Sequence, residues 1–95
     1  MEQPKESIQI RAQDADLKGV YSNVAQIAHT HEEFVLDFFH IVGMVGVLAS
    51  RVVLSPGHAK RLLEALKGQM SRYESQHGEV TPTEVPPGKI GFKID

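Results

Sequence analysis

The sequence predicts an α+β domain: a small antiparallel sheet of three to five strands followed by one long C-terminal amphipathic helix. Three features carry this prediction. Two β-rich runs, residues 33–42 (EFVLDFFHIV) and 47–54 (VLASRVVL), follow one another across a glycine-bearing connection. A Ser-Pro pair then opens the one strong helical pattern in the chain. That pattern stops at Gly78, and between Glu32 and His77 lie most of the large apolar residues.

Taken in order, residues 1–5 form a loose tail. Ser7-Ile8-Gln9-Ile10-Arg11 alternates polar and apolar side chains, which predicts a short edge strand. Residues 14–19 (DADLKG) read as a turn ending on Gly19. Residues 20–30 (VYSNVAQIAHT) are a weaker strand, diluted by Asn23, Ala25 and Ala28, and His31-Glu32 is the tip of the hairpin that follows. Centring that hairpin on His31 sets Ile27 opposite Val35 and Ala25 opposite Asp37. Residues 43–46 (GMVG) make the next connection. Centring it near Met44 sets Asp37 opposite Arg51 and Val35 opposite Val53.

With this pairing, one sheet face carries Val24, Ala28, Phe34, Leu36, Phe38, Val52 and Leu54, and a helix is expected to cover it. The other face carries Tyr21, Asn23, Ile27, Val35, Asp37, Phe39, Ile41, Arg51 and Val53. It is unusually apolar for an exposed surface, yet it sets an acid and a base in cross-strand register. A slip of one residue would exchange the faces.

The helix is predicted over residues 56–77. Ser55 is a good N-cap, Pro56 suits the first helical position, and Gly78 suits C′. Ala59, Leu62, Leu63, Leu66, Met70 and Tyr73 share one face at helical spacing, with Lys60, Arg61, Glu64, Lys67, Ser71 and Glu74 on the other. Its length of about 33 Å exceeds the width of three or four strands spaced about 4.8 Å apart, so the helix is expected to overhang its own sheet. Residues 79–89 (EVTPTEVPPGK) hold three of the five prolines and predict an extended tail. Ile90, Phe92 and Ile94 alternate beyond them and predict a final strand, docked on this subunit or on a second one.

The series Tyr21-x-Asn23, Glu33-Phe34, Leu36-Asp37-Phe38, Ser50-Arg51-Val52, Ser55-Pro56-x-His58-Ala59-Lys60, Leu62, Leu66 and Tyr73-Glu74 followed by Gly78 resembles the bacterial family called domain of unknown function 3467. The resemblance covers roughly residues 18–80. It implies a small prokaryotic protein without an established activity, and it carries over no catalytic or binding residue.

Length and composition bound the function. Ninety-five residues make a single domain, 1–95, with a core over about 7–78 and a tail over 79–95. A formal net charge of -2 gives no general basic field to attract nucleic acid. The chain has no cysteine, which excludes disulfides and thiolate metal sites and fits a reducing cytoplasm. Its first residues lack the apolar core of a secretion signal, and Asp37, His40, Ser50 and Arg51 interrupt the longest apolar run, so no membrane span is predicted.

Each chemical constellation has a plainer explanation. His29 and His31 would point to one side of a strand, as zinc ligands do, but no third ligand stands at a fixed spacing and a polar hairpin end explains them. Asp37 and Arg51 suit a structural salt bridge better than an acid–base pair. His40 suits a satisfied histidine at a sheet edge better than a titrating switch. Ser50 lies outside any G-x-S-x-G turn, and GMVG has neither the length nor the lysine of a phosphate loop. No catalytic residue, cofactor or metal is therefore expected.

The expected role is a non-enzymatic, homo-oligomeric protein-interaction module, adaptor-like or chaperone-like. It would pair as a dimer through the second sheet face (Tyr21, Asn23, Asp37, Phe39, Arg51) or the helix overhang, and would engage a protein partner the sequence does not name. The alternative is single-stranded nucleic-acid binding by that sheet face and the basic helix residues Lys60, Arg61 and Lys67.

Overall fold

The computed structural model describes residues 7–95. Its elements run α1 (Asp14–Lys18), β1 (Val24–His29), β2 (Phe34–Val42), β3 (Val45–Leu54) and α2 (Pro56–His77). The strands form one antiparallel sheet in the order β1-β2-β3, so the predicted α+β layout holds with three strands.

The first hairpin departs from the expected register by one residue. Thr30 replaces the missing Asn-Gly signal: its hydroxyl accepts from the backbone N–H groups of Glu32 and Glu33, both at 3.2 Å. Its own N–H donates to the Glu33 carbonyl at 2.9 Å. The turn is thereby centred between His31 and Glu32 rather than on His31. Ile27 pairs with Leu36 instead of Val35, and Ala25 with Phe38 instead of Asp37. Ile27 therefore moves to the Leu36 face, while Val24 and Ala28 move to the face of Phe39 and Val35.

The second hairpin has the expected pairs Asp37 with Arg51 and Val35 with Val53. Beyond them the register shifts, because Phe38 pairs with Ser50 but Phe39 with Leu48, leaving Ala49 as a bulge. The shift closes the turn to two residues, Gly43-Met44, between the paired Val42 and Val45. Gly43 has φ +64 and Met44 does not share the positive sign, the pattern of a type II′ hairpin with glycine first. β3 consequently starts at Val45 rather than at residue 47.

Two predicted strands do not form. Ile8 and Ile10 are exposed and unpaired in a segment without regular structure, and residues 90–94 also remain irregular. Alternation supplies a face but not a neighbour, and neither segment reaches a free sheet edge in register. The predicted turn at 14–19 is instead the single-turn helix α1, where the Gln13 N–H donates to the Asp16 carboxylate at 2.9 Å. Residues 1–5, expected as a loose tail, lie outside the described residues.

α2 matches its predicted limits. The Ser55 hydroxyl accepts from the His58 N–H at 3.2 Å, Pro56 opens the helix, and the Gly78 N–H donates to the Glu74 carbonyl at 2.9 Å with Gly78 at φ +93. No residue of this 22-residue helix is buried, and it meets the sheet chiefly at β3. The expected helical cover of the Leu36 face is thus sparse.

Among the described residues only Leu36, Phe39 and Leu54 form a buried apolar core. The radius of gyration is 17.1 Å. A compact chain of this length would have about 12.4 Å. The accessible surface is 9320 Å², against about 5,400 Å² for a folded monomer of this mass.

Two glycine replacements should act with opposite signs. Gly43→Ala forces a side chain into positive φ and should lower stability by about 1–2 kcal/mol. Gly68→Ala meets nothing within 4 Å and should raise stability by about 1 kcal/mol through helix propensity. Urea unfolding followed by circular dichroism reads both.

Candidate functional site

The second sheet face is built around Asp37. As the fourth residue of the central strand it has Gln26 on one side and Arg51 on the other. Two neighbouring strands leave it only 7% exposed. A buried carboxylate needs a partner, and Arg51 supplies a fork: Nε donates to Oδ1 at 2.6 Å and Nη2 to Oδ2 at 2.9 Å. The hydrogen bonds from Arg51 hold the Asp37 carboxyl below its ordinary range, against the opposing effect of desolvation and with the help of the guanidinium charge. The same hydrogen bonds and charge raise Arg51. The arrangement keeps both groups ionised and sets their opposite charges against each other in place.

Phe39 follows on the same face, 4% exposed. Its cover is Phe92 from the C-terminal tail, whose ring centre lies 5.8 Å away. The Arg51 guanidinium carbon lies 5.7 Å from the same Phe92 ring, within cation–π range. Between the tail and the β2–β3 hairpin lies a cavity of about 650 Å³, lined mainly by apolar side chains and by Lys89, Lys93 and Asp95. Phe92 therefore joins the site although the expected strand around it does not form. Its signal in the sequence was the apolar alternation at 90, 92 and 94.

The remaining predicted residues are placed differently. The Asn23 side chain imitates a strand residue, donating to the Ile41 carbonyl at 2.7 Å and accepting from the Ile41 N–H at 2.9 Å. Ser22, which sequence reasoning overlooked, supports it by donating to the Phe39 carbonyl at 2.9 Å. Tyr21 does not stand beside Phe39. It precedes β1 and sets its ring edge-on to His40 at 5.1 Å, and strand alternation sends His40 to the face opposite Phe39.

Lys60, Arg61 and Lys67 are exposed on α2, with Glu64 among them. His29 stacks on Phe34 at 5.3 Å, and His31 lies in the exposed hairpin turn. Among the described residues no three His, Asp or Glu side chains gather as metal ligands.

The pH dependence follows from the depressed Asp37 carboxyl. Its contribution to stability is complete above 3.8, the ordinary aspartate value, and is lost as the pH falls through the lower folded-state value. In Arg51→Gln, a carboxyl NMR titration should find Asp37 shifted upward from its wild-type position. An unchanged titration would mean that the fork does not set it.

The model of the family described as "Protein of unknown function (DUF3467)" matches residues 1–82. Neither the curated proteins nor the solved structures provide a match. The matched span holds all five elements and both members of the Asp37–Arg51 pair, and extends the resemblance carried by the spaced residues between 18 and 80. The chain belongs to the DUF3467 family of proteins of unknown function.

Proposed function

We propose that this protein is a non-enzymatic protein-interaction module that works as a homo-oligomer, at its smallest a dimer. The surface of 9320 Å² is the observation that supports it. A 10.5 kDa chain exposes about 15,200 Å² when unfolded and about 5,400 Å² as an ordinary folded monomer. The excess of about 3,900 Å² is several times the roughly 800 Å² that each partner contributes to a standard interface. Three buried apolar side chains among the described residues are few to offset the ordering of so many residues, so a second chain is the natural source of the missing burial.

The chemistry of the site favours the same reading. The one buried ionisable group among the described residues is paired with the opposite charge of its fork. A single-stranded nucleic-acid binder would need a free aromatic platform and a free cation on the sheet. Phe39 lies under Phe92 and Arg51 is engaged by Asp37, so that alternative has less support. No helix among the described residues is long and apolar enough to cross a membrane. A cytoplasmic setting fits the lack of cysteine.

Light scattering during size-exclusion chromatography, at micromolar concentration and with or without a mixed-sequence single-stranded oligonucleotide, tests this reading. The expected result is a mass of at least twice 10.5 kDa that ignores the oligonucleotide, with an unfolding midpoint that rises with protein concentration. A monomer would overturn the reading. A larger complex that dissolves with salt would replace it with nucleic-acid binding.

A further inference from the structure

We propose that α2 is the dimerisation element and lies antiparallel against α2 of a second copy, an inference that rests on the homo-oligomer reading above. Along α2 the apolar residues repeat with a coiled-coil period. Leu63 and Met70 fall at a, Ala59, Leu66 and Tyr73 at d, and His77 continues the a series. Leu63 is 46% exposed, Leu66 60%, Met70 43% and Tyr73 53%, so the seam is open along its length.

Charge selects the orientation. In a parallel pair, each g residue meets the e residue of the following heptad. Leu62 would face the partner's Lys67 and Gln69 the partner's Glu74, and His77 would meet its own copy, with no opposite charges joined. An antiparallel pair centred on Gly68 brings Lys60 to the partner's Glu74 twice, once from each side. Near the axis Lys67 meets its own copy on one solvent-facing flank of the seam, and the uncharged Gln69 meets its own copy on the other. Two attractions thus stand against one repulsion.

Shape agrees with charge. The antiparallel layers set Ala59 against the partner's His77, Leu66 against the partner's Met70 and Leu63 against the partner's Tyr73, so the smallest residue faces one of the bulkiest. The arrangement also opposes the two helix dipoles. It brings the end of the partner's helix level with the start of α2, beside Leu54 and the thinly covered sheet.

Because the chain has no cysteine, spin labels can be attached to single substitutions, Lys60→Cys, Lys67→Cys or Gln76→Cys, and their separations measured by pulsed dipolar spectroscopy. At 1.5 Å per residue, antiparallel pairing puts the position-67 labels about 3 Å apart along the axis, and those at 60 and at 76 each about 24 Å apart. One short and two long distances would support the inference. Three short distances would mean parallel pairing and would overturn it.

Leu66→Glu, which places two charges in the central layers, should weaken the dimer more than tenfold by sedimentation. A dimer that ignores Leu66→Glu and fits neither distance pattern would overturn the α2 seam while leaving the homo-oligomer reading in place. A monomeric wild-type protein would overturn both.

Discussion

The fold depends on β2, the one strand with a neighbour on each side. Leu36, Asp37 and Phe39 belong to it, and Leu54, the remaining buried residue among those described, is paired with its first residue, Phe34. A central strand has both backbone edges paired and a neighbouring side chain on each flank, and in β2 three residues of the middle are buried while its end towards Val42 is exposed. On one face it is Leu36 that is buried. On the other it is Asp37, whose burial as a charged group is tolerable only with the Arg51 fork held opposite by the register. The second hairpin is therefore tied to its register by electrostatics as well as by pattern. A slip by one residue would strand a carboxylate beneath the sheet without its cation.

The same pair explains why part of the structure was legible in the sequence. Centring the connection near Met44 set the acid at 37 opposite the base at 51, and that pairing is observed. The turn itself is centred between Gly43 and Met44, and the Ala49 bulge takes up the difference. α2 was legible because Ser55, Pro56 and Gly78 act locally: each satisfies or removes an end group without help from the rest of the fold. The first hairpin was not, because its centre is set by one hydroxyl, that of Thr30, reaching over two N–H groups. The Ala49 bulge gives no compositional sign, yet it is what lets Gly43 occupy the tight turn. In the site, Asp37, Phe39 and Arg51 came together because they share a strand period. Tyr21 did not, because it lies ahead of the strand whose period was extended to it.

The tail and the helix answer the same shortage of cover in different ways. Phe92 lies over Phe39 and against Arg51, so the middle of the second face is covered from within the chain, by a segment beyond the family match. That contact leads from the tail through the guanidinium to the buried carboxylate. Among the described residues α2 has chiefly the sparse contact with β3. Its apolar row is as regular as that of a core helix, but none of its residues is buried.

A helix in this position needs a reason to persist. Its caps, and its content of Ala, Leu, Lys, Arg, Glu, Gln and Met, favour helix formation. Isolated helices of this size are nonetheless marginal in water, because nucleation is unfavourable and each residue adds little. In folded proteins the deficit is met by packing an apolar face, and here the sheet touches little of it. Polar residues along the row would have made a solvated arm of α2. Leucine, methionine and tyrosine at a steady period instead make an exposed apolar surface, and the proposed pairing of two copies would bury it. Under the proposed pairing of α2, completing the fold and associating with another copy would be the same physical event.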